Sequence, residues 1–120
     1  MSIIDEINKG ISAHVMWKQR LREAIDTGTS EWTPAMVRLD NKCDFGNWLY
    51  SSSPEIKASP HYQKVKQLHA EFHTTCAHIL ELALSGNIEE AKKSIALGGD
   101  YTKTSSQLTV EMMHWKRDSE

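Results

Sequence analysis

The chain is poor in the residues that hold small or unusual scaffolds together. Among 120 residues there are two cysteines, Cys43 and Cys76, and three prolines. Two cysteines are too few for a disulfide framework. A reducing, cytoplasmic setting is therefore expected, where a lone cysteine serves as a ligand or reactive thiol. No apolar run approaches the ~20 residues that span a bilayer. The N-terminal Met-Ser-Ile-Ile-Asp-Glu-Ile is acidic and amphipathic, without the basic start and apolar core of a signal peptide. Basic blocks and aromatic RNA motifs are missing and the net charge is −2, which argues against a nucleic-acid partner. There is no nucleophile elbow, phosphate loop or Ser/His/Asp set, so an enzyme is not expected. Internal repeats and low-complexity tracts are lacking as well.

What is there reads as one helical domain over residues 1–120. The composition, 39% hydrophobic and 25% charged, is ordinary for a globular protein with one core. Ile3 to Thr27 holds no proline and one glycine, and Ile7, Ile11, His14, Leu21 and Ile25 recur at helical spacing. This predicts a helix of about seven turns, stopped by Thr27-Gly28-Thr29-Ser30. A connector through Trp32, Thr33-Pro34 and Met36-Val37-Arg38-Leu39 has no clean period, and Trp32 and Leu39 are expected to fold onto the core as a lid. Cys43 to Tyr50 reads as a short helix capped near Asn41 or Asp40 and ended by Ser51-Ser52-Ser53-Pro54. Gly46 within it points to close approach of another backbone or of the site itself.

Ser59-Pro60 opens a long helix to about Leu84, with the cap and then proline at the first helical position. Ser85-Gly86-Asn87 breaks it, and Asn87 with Glu90 resembles a capping box. The last helix is expected from Ile88 to about Lys116, kinked near Gly98-Gly99. Its inward stripe is Ile88, Ala91, Ile95, Gly98, Thr102, Ser105 or Ser106, Thr109, and Met112 or Met113. Three long helices, one short helix and mostly short links make an all-α, antiparallel helical bundle. Met1 and the polar end Trp115 to Glu120 fit either a complete small protein or an excised domain.

The chemistry centres on His69-Ala-Glu-Phe-His73. Residues four apart on a helix lie one above the other, so two imidazoles can grip one ion. They sit at the edge of the apolar stripe Val65, Leu68, Phe72, Cys76, Ile79, Ala83. Alone, such a pair is weak evidence, and His14 alone reads as a satisfied core histidine. Together with Cys43, which the connector is long enough to bring ~18 Å back to the level of His14, they form a three-histidine, one-cysteine set. Such a set suits tetrahedral zinc, and the thiolate argues against calcium, magnesium or manganese. Opening a short helix also favours the Cys43 thiolate, through the helix dipole.

The pattern His14-x-x-Trp17, twenty-five residues, Cys43-x-Phe45-Gly46-x-Trp48, twenty residues, His69-x-x-x-His73 closely resembles the chemoreceptor zinc-binding domain, the bacterial CZB family. The resemblance implies a four-helix domain with an internal zinc site, one Zn2+ per chain, held by His14, Cys43, His69 and His73. Trp17, Phe45, Gly46 and Trp48 match the packing around it. Such domains are usually dimeric and cytoplasmic. They accompany chemoreceptors or diguanylate cyclases, or stand alone, and are associated with regulation by zinc and by oxidants such as hypochlorous acid. A homodimer feeding chemotaxis or cyclic-di-GMP output is thus expected, with Cys43 as the redox-reactive residue and Asp44 modulating it by charge. The rival readings are a zinc-stapled dimerisation domain without switching, and a di-iron bundle. Of the Glu-x-x-His pairs that a di-iron bundle needs, only Glu111-x-x-His114 has the spacing. His61, His78 and His114 read as solvated or helix-end residues. Cys76 reads as a buried small hydrophobe, with a resolving thiol toward Cys43 as the alternative.

Overall fold

The computed structural model describes residues 3–119. Met1, Ser2 and Glu120, counted in the expected 1–120 domain, lie outside the described residues. The helices are α1 (Ile3–Val15), α2 (Trp17–Thr27), α3 (Pro34–Val37), α4 (Asp44–Ser51), α5 (Pro54–Lys57), α6 (Pro60–Leu84), α7 (Ile88–Ile95) and α8 (Asp100–Asp118). They make the expected all-α antiparallel bundle, elongated to 45 × 25 × 18 Å.

The spine is α6. Tyr62, Val65, Leu68, Phe72, Cys76, Ile79, Leu80 and Ala83 on it are all buried. It packs on α8, α2, α3, α7 and α4. Ser59 caps its start by accepting from the His61 N–H at 3.3 Å, with Pro60 in the first turn. At its other end Gly86 takes the left-handed conformation, φ 86°, which a side chain would strain. That turn lets the Asn87 N–H reach the Leu82 carbonyl at 2.8 Å and the Gly86 N–H reach that of Ala83, satisfying carbonyls the helix leaves open. The capping box expected at Asn87 and Glu90 is not formed. Its backbone is spent on closing α6, and its side-chain amide donates back to Ser85 Oγ.

Four other expectations are corrected. The first helix is two, α1 and α2, separated at Met16. Its halves have different partners: α1 packs on α8 and α4, and α2 on α6 and α7. Gly10 rather than Ile11 faces fully inward, where a Cβ would press on the Phe45 ring and on Met112 Cε at 2.8 Å. The last helix is likewise broken rather than kinked. Gly98 at φ 84° leaves the helix, and Gly99 is extended at the start of α8. The break resets the phase, so Tyr101, Leu108, Met112 and Trp115 are the buried residues of α8, and Met113 is exposed. Of the connector's expected lid, Trp32 is half-buried against the core and Leu39 is 46% exposed.

The connector and the α4–α6 link also hold two single turns that periodicity did not reveal. Thr33 caps α3 by accepting from Met36 N–H, and Ser53 caps α5 by accepting from Ile56 N–H. Both repeat the cap-then-proline signal of Ser59-Pro60. α4 is tied down at its C-terminal end by Tyr62, whose buried hydroxyl donates to the Leu49 carbonyl at 2.6 Å. That carbonyl lies in the last turn and has no helical donor ahead of it. Tyr62→Phe should therefore lower unfolding free energy by about 1–3 kcal/mol, read from the urea midpoint. An unchanged midpoint would show that α4 does not depend on this bond.

Candidate metal centre

Three elements meet between α1 and α6. α6 presents His69 and His73 one turn apart, 0% and 3% exposed. α1 carries His14 in its last turn, 5% exposed. Cys43 stands at the N-terminus of α4 and is itself the cap, its sulfur accepting from the Gly46 N–H at 3.3 Å. A thiol is not a usual cap, and the expected cap at Asn41 or Asp40 is not used.

The donor atoms converge. His69 Nε2 and His73 Nε2 are 3.1 Å apart, and Cys43 Sγ lies 3.3 Å from the first and 3.5 Å from the second. With a ring nitrogen of His14, all four donors fall within 4.8 Å of one another. A tetrahedral zinc, with Zn–N about 2.0–2.1 Å and Zn–S about 2.3 Å, sets N···N edges of about 3.3 Å and N···S edges of about 3.6 Å. The three shortest separations match one face of that figure.

The hydrogen bonds say which atoms need a partner. His73 Nδ1 lies 2.9 Å from the Val37 carbonyl, which can only accept. Nδ1 therefore carries the proton, and Nε2 turns a bare lone pair into the cluster. A carbonyl behind a ring nitrogen is the support that a metal-binding histidine ordinarily has. Among the described residues, Nδ1 of His69 is buried with no hydrogen-bond partner, and the His14 nitrogens have none beyond the nearby Gly10 carbonyl, which is out of line for a full bond. Orphaned buried imidazole nitrogens are costly. A cation bound by His14, Cys43, His69 and His73 would take up one His14 nitrogen and use the lone pairs already aimed inward, so the residues present fit a metal.

Electrostatics agree. Burial drives His14 down to about 4, with His73 nearby adding to it, and drives His69 down to about 2, with His14 adding to it. His73 is lowered as well, mainly by burial. The imidazoles are thus neutral, the form that ligates. Cys43 is raised: burial outweighs the N–H groups of Gly46 and Phe45, and the charge of exposed Asp44 pushes the same way. The helix terminus alone therefore does not make the thiolate. A positive charge beside the sulfur is needed.

The surrounding residues hold this arrangement. A Cβ on Gly46 would overlap the Asp40 carbonyl and press on His69 Cε1 at 3.1 Å, so glycine lets connector and histidine approach α4 from opposite sides. The Phe45 ring stands edge-on to His14 and His69 at 5.7 and 5.3 Å. Phe72, one turn after His69 and next to His73, meets His14 at 5.0 Å, a contact sequence spacing alone did not single out. Trp48 packs on Phe45 and Trp115, one layer away. Trp17 pairs with Trp32 at 5.4 Å, beside the cluster rather than in it. His61 pairs with Asp118, His114 with Glu111, and His78 is exposed. Cys76 is fully buried in the core, raised by that burial, and not bridged to Cys43.

The family model for the chemoreceptor zinc-binding domain matches residues 14–80, more than half of the chain. The match begins at His14 and includes Cys43, His69 and His73. No curated protein and no solved structure matches the chain significantly.

The lowered histidines make the metal-stripped chain acid-sensitive. Unfolded histidine takes a proton below 6.5, whereas folded His14 resists until about 4. Stability should therefore fall as pH drops below 6.5, by up to about 1.4 kcal/mol per pH unit for each such histidine, with the His14 share levelling off near 4. Urea titrations of the stripped chain between pH 7 and 5 check this. A flat or rising stability would mean that the imidazoles are not buried and neutral.

Proposed function

The chain belongs to the chemoreceptor zinc-binding domain family, and from that membership we propose a zinc-binding regulatory domain whose signal is the state of the bond between Cys43 and the metal. The observation that carries the reading is the convergence of the donor atoms of His14, Cys43, His69 and His73 within 4.8 Å of one another. Bound there, zinc supplies the positive charge that holds a buried thiolate. Three nitrogens and one sulfur suit zinc over oxygen-seeking cations. Four protein donors leave no position for a reacting water, which favours regulation over hydrolysis.

Cys43 is the one donor that an oxidant can remove. Its thiolate sulfur takes the chlorine of hypochlorous acid as a sulfenyl chloride while hydroxide leaves, and water then displaces chloride with loss of a proton, leaving the sulfenic acid; sulfur has lost two electrons and chlorine has gained them. The site then loses a negative charge and a donor, and α4 loses the cap on its Gly46 N–H. Phe45 and Gly46, wedged against His14 and His69, carry that loss into α1 and α6. Withdrawal of zinc reaches the same end by another route.

The chain acts as one unit over residues 1–120, in the cytoplasm, with chemoreceptor or cyclic-di-GMP output. It pairs with a second copy: Val15, Met16, Val110 and Met113 on α1, α8 and the break between α1 and α2 are apolar and more than half exposed. Met112 and Trp115, near the end of α8, are covered within the chain and leave this face to the other four.

The test is oxidation. One equivalent of hypochlorous acid should consume Cys43 before Cys76, with zinc becoming chelatable in step, read by mass-mapping both cysteines alongside metal analysis. Preferential loss of Cys76, or Cys43 oxidised with zinc held as tightly as before, would leave a structural zinc staple without switching.

A further inference from the structure

We propose that the cavity between α1, α2 and the connector is a binding site for a small organic anion, with Arg20 as the receptor for its carboxylate. The cavity measures about 430 Å³, within the ~300–1,000 Å³ of small-molecule sites. Trp17, Trp32, Met36, Val37, Leu39 and Phe45 form its apolar walls, and its floor is the metal centre, since His14, Cys43 and His73 line it too.

Arg20 is the unusual member of the wall. Its guanidinium carbon sits 4.9 Å from the centre of the Trp17 ring and 4.5 Å from that of Trp32. The indoles fix it in place. Half-buried, it has no carboxylate and no side-chain hydrogen-bond partner among the described residues. The two ring centres are only 5.4 Å apart, so both indoles lie on one side of the guanidinium, and its N–H fork faces the cavity, where it can grip a carboxylate through two parallel bonds.

The other charges leave the cavity positive. Lys9 lies 3.9 Å from Glu6, and both line it, so they offset each other. Asp44 lines it from the first turn of α4, where the helix dipole takes up part of its charge. Lys42 and Arg20 remain as cations. A ligand with one carboxylate and a flat apolar body therefore matches the site: the anion at Arg20, the body against Trp17 and Trp32. An inorganic anion would leave most of the apolar wall uncovered.

This proposal goes beyond the sensing reading and does not require it. The zinc-loaded full chain is titrated with naphthoate, with neutral naphthamide and with inorganic phosphate, following the indole N–H resonances by NMR. Naphthoate should shift Trp17 and Trp32 saturably and leave buried Trp115 in place. Naphthamide and phosphate should bind at least ~10-fold more weakly, and Arg20→Gln should weaken naphthoate by about tenfold. Lys57→Gln on α5, outside the cavity, should change nothing. Equal binding of acid and amide, tighter binding of phosphate, or no saturable shift would overturn the proposal in the wild-type chain alone, whether or not Arg20→Gln folds. Unchanged affinity in a folded Arg20→Gln would overturn it too. Zinc content measured on the same sample separates failure here from failure of the metal reading.

Discussion

The structure turns on one electrostatic problem: three neutral imidazoles and a thiol occupy the apolar interior with too few protein donors and acceptors to satisfy them. Among the described residues His14 has only the poorly aligned Gly10 carbonyl beside it, and His69 Nδ1 has no partner. Packed hydrocarbon tolerates such atoms only at a cost of kilocalories each. A cation at their meeting point turns that cost into ligation. The features that look odd in isolation serve this convergence: a glycine inside a three-turn-or-shorter helix, a cysteine in a capping position, and a connector drawn back across the bundle.

The connector is fastened to the same helix that bears the histidines. The Val37 carbonyl accepts from His73 Nδ1, and Arg38 pairs with Glu81 about two turns further along α6. Asp40 lays its carbonyl against Gly46 and accepts from Tyr50 with its carboxylate. The ring that ligates is thereby held from behind by the segment that leads to Cys43. A change at the sulfur and a change at His73 pull on the same strand of chain, which gives the proposed switch its mechanical path.

Local chemistry was legible in the sequence. Thr27-Gly28 ends α2, Ser59-Pro60 opens α6, and His69 and His73 share a face, because capping, breaking and helical spacing act within a few residues. The need for glycine at position 46 was legible too, as an otherwise poor helix residue with a reason to be small. What escaped is set by tertiary contacts. No periodicity marks α3, since four residues docked on α6 cannot show one, although Thr33-Pro34 carried the capping signal. Cys43 as a cap escaped because thiols rarely cap. The phase of α8 escaped because Gly98-Gly99 interrupts the helix instead of bending it, so a stripe counted across it loses register. Arg20 reads as an ordinary surface cation in the sequence, and only the fold brings Trp17 and Trp32 together beside it.

Zinc-edge X-ray absorption on the purified chain measures the four-donor centre directly. Three nitrogen neighbours at about 2.0–2.1 Å and one sulfur at about 2.3 Å are expected. A shell of nitrogen and oxygen without sulfur, or one with two sulfurs, would contradict ligation by His14, Cys43, His69 and His73.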